Sequence, residues 1–173
     1  MSQFHVVIPA RYASTRLPGK PLLDIHGKAM ILHVVDRALE CGAETITVAT
    51  DDERIRDVAL ASEVEVVMTS ESHHSGTDRL AEVVSLMQWS DDDVVVNLQG
   101  DEPLMPPAVL RQVAVNLDRH AVASIATLCT PIESYEEMLN PNAVKVVMDE
   151  AGYALYFTRV HIILYLDTFG WVY

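Results

Sequence analysis

Residues 4–22 have the sequence FHVVIPARYASTRLPGKPL. The first part, residues 4–8, is almost entirely apolar and predicts a buried β-strand. The part that follows, residues 9–20, contains proline, glycine, serine and arginine and predicts an ordered loop. In a doubly wound sheet, ligands bind beyond the carboxyl ends of the strands, so we expect this loop to border a ligand site.

Outward from this stretch, short β-type runs alternate with longer segments of helical period. Ile31, Val34, Val35 and Ala38 follow helical spacing, and Gly42 is a suitable stop for that helix. Further strands are predicted at residues 45–50 and 64–68, and the run at 94–98 is apolar enough for a central strand covered on both faces.

Three more features predict helix starts or additional strands. Thr50 with Glu53, and Ser75 with Asp78, have the spacing of a capping box, and a helix is expected to open at Pro106. β-like runs also occur at residues 124–129, 143–148 and 153–157. The pattern predicts an α/β fold with a doubly wound, mostly parallel sheet and helices on both faces. It shows no internal repeat or flexible linker, which favours one domain.

Composition excludes several functional classes. The chain has 173 residues, half of them apolar and 21% charged, which excludes a disordered or collagen-like protein. The net charge of −13 disfavours binding to nucleic acid or an anionic membrane. No apolar stretch is long enough for a membrane helix and no signal peptide is apparent, so a cytoplasmic location is expected. Cys41 and Cys129 form no CxxC motif and are expected to be packing residues in a reducing compartment.

Within this acidic chain, the first 28 residues form a small basic region. Four basic residues occur there against the single acid Asp24. Three of them, Arg11, Arg16 and Lys20, lie in the predicted loop, where guanidinium and ammonium groups suit a polyphosphate. The motifs of a Walker A loop and of a Rossmann dinucleotide site are both absent from the sequence.

The motifs IPARYASTRLPGKPL at 8–22, SGTDR at 75–79 and LQGDEP at 98–103 occur in this order. Together they resemble the 3-deoxy-manno-octulosonate (Kdo) cytidylyltransferase family, also called CMP-Kdo synthetases, over residues 2–159. The resemblance implies a nucleotide-diphospho-sugar transferase-like fold. It also implies transfer of CMP from CTP to Kdo with release of pyrophosphate, for lipopolysaccharide biosynthesis.

The resemblance also implies roles for individual residues. Those at the CTP triphosphate would be Arg11, Ser14, Arg16 and Lys20. Those near the cytosine, along the nucleoside or reaching toward substrate would be Pro9, Ala10, Ser75, Gly76, Thr77, Arg79 and Gln99. Asp101 would be a ligand of the catalytic Mg²⁺. The residues themselves support this chemistry, because a carboxylate after an apolar strand, facing a cationic loop, suits a hard divalent ion that bridges phosphates.

The resemblance stops near Arg159. We expect residues 1–159 to form the CTP-binding nucleotidyltransferase domain and 160–173 to be a divergent apolar tail, the product of a truncation or frame change. The family's continuation supplies a second metal carboxylate, much of the Kdo site and the contacts of a homodimer, so the oligomeric state stays open. A CMP-sialic acid synthetase-like enzyme and an inactive nucleotide-binding fragment are the alternatives.

Two adjacent histidines, His73 and His74, precede the second motif. Neighbouring side chains point in different directions, and no second ligand pair has metal-binding spacing. We therefore expect both to lie in a solvated loop.

Overall fold

The computed structural model describes residues 3–13 and 17–160. Its elements in chain order are β1 (Phe4–Ala10), a 3-10 helix (Lys20–Leu22), β2 (Asp24–Ile25), β3 (Lys28–Ala29), α1 (Met30–Leu39), β4 (Thr45–Thr50), α2 (Glu53–Ala59), β5 (Glu65–Met68), α3 (Gly76–Met87), β6 (Val94–Asn97), α4 (Pro107–Arg119), α5 (Tyr135–Leu139), β7 (Lys145–Met148) and β8 (Ala154–Thr158). They fall into two compact units, Met1–Thr127 and Leu128–Tyr173. The expected nucleotidyltransferase domain over 1–159 stays a prediction.

The first unit is built on a parallel sheet with the order β5-β4-β1-β6. β1 pairs with β4 on one side, where His5 faces Thr45, and with β6 on the other, where Phe4 faces Val94. All pairs in this sheet are parallel. The predicted α/β class and parallel sheet are confirmed.

Alternating side chains of β1 serve two cores. Val6 and Ile8 are fully buried on one face with Val34 of α1, in a cluster that also includes residues of α2 and α4. Val7 is buried on the opposite face with Val83 of α3. Helices therefore cover both faces, because the strand residues alternate in direction and both sets are apolar.

The start of α2 differs from the expected capping box. The N-cap is Asp52, whose side chain accepts a hydrogen bond from the backbone N–H of Arg54 at 2.9 Å. Thr50 is instead the last residue of β4, is fully buried, and its hydroxyl accepts from the backbone N–H of Asp52 at 3.2 Å. The Thr50–Glu53 box was wrong because the strand extends through Thr50 and the helix begins two residues later than that motif requires.

Three other expectations also need correction. Within the described residues, β6 pairs with β1 alone, so it is an edge strand rather than a central one. An apolar run indicates burial but does not specify how many strands lie beside it. Residues 124–129 form no strand in the described chain, where Ile125 is exposed. Cys41 is buried as expected, but Cys129 is exposed.

The second unit contains an antiparallel pair, β7 and β8, in which Lys145 faces Thr158. Lys145 is buried, and its ammonium donates to the carbonyls of Asn140 at 2.6 Å and Arg159 at 3.2 Å. Most of the expected tail, 161–173, lies outside the described residues. None of the described helices has the length and apolarity that would span a membrane.

The assignment of Asp52 as the N-cap of α2 predicts how two substitutions change the stability of the protein. Asp52→Ala should lower the free energy of unfolding by about 1 kcal/mol in urea denaturation, because the N-cap acceptor is lost. Glu53→Ala, the matched control, should change it by less than about 0.5 kcal/mol, because Glu53 only forms an exposed ion pair with Arg56. Equal costs for the two variants would contradict the assignment.

The same residue predicts a pH dependence. The hydrogen bonds from Arg54 hold the pKa of Asp52 below its usual value. Because the pKa is lower in the folded protein, this stabilisation is present above the unfolded value near 3.9 and is lost as the pH falls through the folded one. The stability difference between the wild type and Asp52→Ala should therefore shrink in acid. Urea denaturation at a series of pH values measures this difference. If the stability difference between the wild type and Asp52→Ala grows as the pH falls, the prediction is contradicted.

Candidate active site

A cleft of about 730 Å³ lies where β1 and β6 end and α3 begins. Its lining residues are Pro9, Ala10, Arg11, Leu17, Lys20, Pro21, Met30, His73, Ser75, Gly76, Arg79, Gln99, Gly100 and Asp101. Nine of the predicted site residues are among them. Thr77 is exposed in the first turn of α3 and does not line the cleft. Ser14 and Arg16 lie outside the described residues.

The loop after β1 is closed at its base by one backbone contact. The N–H of Gly19 donates to the carbonyl of Tyr12 at 2.9 Å, and Gly19 has a φ of 68°. A Cβ at Gly19 would lie 2.9 Å from the Tyr12 ring, so glycine is required by both backbone and space. The Tyr12 ring is also covered by the guanidinium of Arg54, 3.4 Å from the ring centre. This closure places Lys20, at the start of the 3-10 helix, beside the cleft.

The end of β6 forms the facing wall. The N–H of Leu98 donates to the carbonyl of Val7 at 3.0 Å and continues the strand pairing. At Gly100, a Cβ would approach the carbonyl oxygen of Pro9 to 2.9 Å, which backbone atoms do not tolerate. The two strand ends therefore meet without a side chain between them. Gln99 lines the cleft, and its amide donates to Asn97 at 2.8 Å.

Lys20 and Asp101 meet in this cleft. The ammonium of Lys20 lies 2.6 Å from a carboxylate oxygen of Asp101, and the side chains are 37% and 50% exposed. Glu102 follows, and its pKa is raised by burial and by the charge of Asp101. Arg11 is exposed at the cleft and adds a further positive charge.

The third wall begins with the N-terminus of α3. Ser75 is its N-cap: the Ser75 hydroxyl accepts from the N–H of Asp78, whose carboxylate accepts in return from the N–H of Ser75. This confirms the predicted capping box. The hydrogen bond from the Ser75 hydroxyl also lowers the pKa of Asp78. Gly76 lies against Pro9, where a Cβ would be 3.4 Å from its ring.

Behind this wall lies a buried ion pair. Arg79 is 2.5 Å from Asp51, which follows β4, and the two side chains are only 4% and 14% exposed. The same guanidinium donates to the hydroxyl of Thr69, which follows β5. Arg79 thus links the ends of two strands to α3. Nothing in the sequence marks Asp51 as its partner, because the two residues are 28 positions apart.

Sequence reasoning also missed His73. Its side chain is only 18% exposed, lines the cleft and lies 2.5 Å from Glu82 of α3. The solvated-loop expectation is therefore wrong for His73, whereas His74 is exposed as expected. The acidic residue nine positions later was the available signal, but it becomes meaningful only once the loop is seen to fold back on α3.

The donor set suits a hard divalent cation only in part. In the described chain, no group of three or more His, Cys, Asp or Glu residues could hold a metal ion. Mg²⁺, however, is commonly held by one or two carboxylates together with substrate phosphates. Asp101 is half-exposed in a cleft that also contains Arg11 and Lys20. It therefore fits a site in which one carboxylate and the phosphates of a substrate hold Mg²⁺ together.

The fold and this cleft define an α/β protein with an open cleft at the carboxyl edge of a parallel sheet, the edge at which such folds bind their ligands. A family model described as "Cytidylyltransferase" matches residues 5–169, and the chain belongs to that family. The cytidylyltransferase part of the resemblance given by the three motifs is thereby confirmed.

Individual relatives agree. The chain is 64% identical to the 3-deoxy-manno-octulosonate cytidylyltransferase of Thioalkalivibrio sulfidiphilus over 159 residues, covering 92% of this chain and 64% of that protein. It is 63% identical to the enzyme of the same name from Aeromonas salmonicida, covering 90% and 61%. A solved structure of CMP:2-keto-3-deoxy-manno-octonic acid synthetase complexed with CTP superposes with a TM-score of 0.85 at 45% identity, covering 92% and 65%. The chain therefore spans slightly less than two thirds of the length of these relatives.

The buried ion pair predicts a large effect on stability. Asp51→Ala leaves the buried Arg79 guanidinium without its carboxylate and should lower the free energy of unfolding by about 3 kcal/mol or more. The matched control is Asp36→Ala, which breaks a pair with Lys28 of the same 2.5 Å length but with both side chains more than a third exposed. This control should cost less than about 1 kcal/mol. Similar losses in chemical denaturation would contradict a supporting role for Arg79.

Proposed function

We propose that this chain binds CTP and transfers CMP to the sugar acid Kdo, with release of pyrophosphate. The main support is the meeting of Lys20 and Asp101 at 2.6 Å in a cleft at the carboxyl edge of the sheet. In this proposal Lys20 is the cation that binds phosphate, and Asp101 beside it is the carboxylate that binds a metal ion. The similarity to CMP-Kdo synthetases supports the choice of CTP and Kdo.

Arg11 and Lys20 bind the triphosphate in this proposal, together with Ser14 and Arg16 of the same loop. The positive charges of Arg11, Arg16 and Lys20 offset the negative charge that develops on the leaving pyrophosphate. The Lys20–Asp101 pair is exposed, and such pairs contribute less than about 1 kcal/mol. A phosphate can therefore separate Lys20 from Asp101 at low cost.

Asp101 would hold the metal ion, which we propose to be Mg²⁺. When bound, a divalent cation neutralises phosphate charge and lowers the pKa of a coordinated hydroxyl. In the transfer itself, the anomeric hydroxyl oxygen of Kdo forms a bond to the α-phosphorus, the bond to the pyrophosphate oxygen breaks, and the hydroxyl proton is released. The protein aligns these groups, which accounts for much of the catalysis in such transfers.

The nucleoside is placed against the remaining walls. Pro9 and Ala10 at the end of β1 lie near the base, and Gln99 reaches toward substrate. The start of α3 supplies Ser75 and Gly76, whereas Thr77 of its first turn lies outside the cleft. Arg79 supports this wall through its buried pair with Asp51.

A cytoplasmic location and a homodimer accompany this proposal, in keeping with the resemblance. A CMP-sialic acid synthetase-like enzyme is the second candidate for the acceptor, and an inactive nucleotide-binding fragment is the third possibility. Because the chain spans less than two thirds of the length of its relatives, the possibility of an inactive fragment should be tested directly.

The first test is the reaction itself. In the presence of Mg²⁺, the 173-residue chain should release pyrophosphate from CTP only when Kdo is also present, because the hydroxyl of Kdo is the attacking group. A coupled pyrophosphate assay measures this, with N-acetylneuraminate as the alternative acceptor. Release with N-acetylneuraminate alone would favour the second candidate. CTP binding without release would favour the inactive fragment.

The second test concerns the two charged residues. Lys20→Ala and Asp101→Ala should each lower turnover by roughly 10²–10³-fold, because Lys20 offsets the negative charge that develops on the phosphates and Asp101 would hold the metal ion that does the same. Lys28→Ala is the matched control, since Lys28 forms an exposed pair of similar length with Asp36 and does not line the cleft. Turnover should be unchanged in this control. Wild-type turnover in either cleft variant would contradict the role given to that residue.

A further inference from the structure

The loop between β5 and α3 is clipped to α3 by one carboxylate. A single oxygen of Glu82 accepts from the backbone N–H of Ser70 at 2.9 Å and from the Nε2 of His73 at 2.5 Å. Ser70 and His73 lie near the two ends of the loop, so Glu82 fixes both ends from the second turn of α3. The hydroxyls of Ser70 and Ser72 are 2.8 Å apart and close the loop further.

This clip determines the state of the imidazole. A carboxylate only accepts hydrogen bonds, so the Nε2 of His73 carries the proton and donates it. The hydrogen bonds from His73 and Ser70 lower the pKa of Glu82, which therefore stays charged at neutral pH. His73 is thus held in one ring orientation while its side chain lines the cleft.

The charge of this pair favours one part of a nucleotide. Glu82 is an anion, so the His73–Glu82 pair has a net charge of zero or −1 whichever state the imidazole adopts. Asp78, in the first turn of α3, adds a further negative charge. Arg79 also lines this wall, but its charge is paired with Asp51. The cations proposed for the phosphates, Arg11 and Lys20, lie instead on the loop after β1. A planar ring with a hydrogen-bonding nitrogen suits a base or a ribose instead.

We propose that His73 binds the nucleoside part of the nucleotide and that Glu82 is the positioning residue that holds the imidazole in the wall of the cleft. This inference rests on the proposed nucleotide site and adds two residues to it.

The test compares two ligands that divide the nucleotide, CMP and pyrophosphate, by calorimetry on the 173-residue chain with Mg²⁺. His73→Ala should weaken CMP binding by about tenfold, the loss of one good contact, and leave pyrophosphate binding within about twofold. Glu82→Ala should weaken CMP binding less, and the double variant should match His73→Ala, because Glu82 acts through His73. His74→Ala is the matched control: an adjacent, exposed histidine that should change neither affinity.

Each other outcome has a definite meaning. Unchanged CMP binding by His73→Ala would overturn the inference while leaving the nucleotide site intact. Equal weakening of both ligands would also overturn it, because that is the result of a general loss of structure. If His73→Ala does not fold, His73→Asn retains an N–H for Glu82 without the ring, and the same CMP-selective loss is expected. A wild-type chain that binds neither ligand would contradict the proposed function and, with it, this inference.

Discussion

The candidate site depends on the parallel pairing of β1 with both β4 and β6. Parallel strands all end at the same edge of a sheet, so the loops that follow them converge there. This convergence brings Lys20 and Asp101 to 2.6 Å although 81 positions separate them in the chain. The same register places Gly100 beneath the carbonyl of Pro9, where no side chain fits.

Much of this arrangement follows from local sequence. The period of apolar residues predicts α1 and β4, because burial of one face leaves a regular spacing. Ser75 and Asp78 predict the start of α3, because their mutual hydrogen bonds span only three residues. The loop after β1 contains three cations, and its position after the first strand predicts its place beside the cleft. These signals succeed because the interactions behind them are between residues that are close in sequence or in one element.

What sequence did not predict involves distant partners or competing local roles. The Arg79–Asp51 and His73–Glu82 contacts join residues that are 28 and nine positions apart in the sequence and belong to different elements. Likewise, an apolar strand such as β6 shows that it is buried but not how many neighbours it has. At α2, Thr50 had the spacing of a cap, but its burial in β4 left Asp52 to serve as the cap.

The Arg79–Asp51 and Lys20–Asp101 ion pairs at the cleft are nearly equal in length, but the first is buried and the second is exposed to solvent. This difference gives them different roles. Breaking the buried Arg79–Asp51 pair would leave a charge in a low-dielectric interior, so it persists when a ligand arrives and shapes the wall. Solvent screens the Lys20–Asp101 pair, so separating it costs little, and each member then has a full charge to offer. The proposed function would use both kinds of pair: the buried pair keeps the wall in place, and the exposed pair can be separated by the phosphates of the ligand.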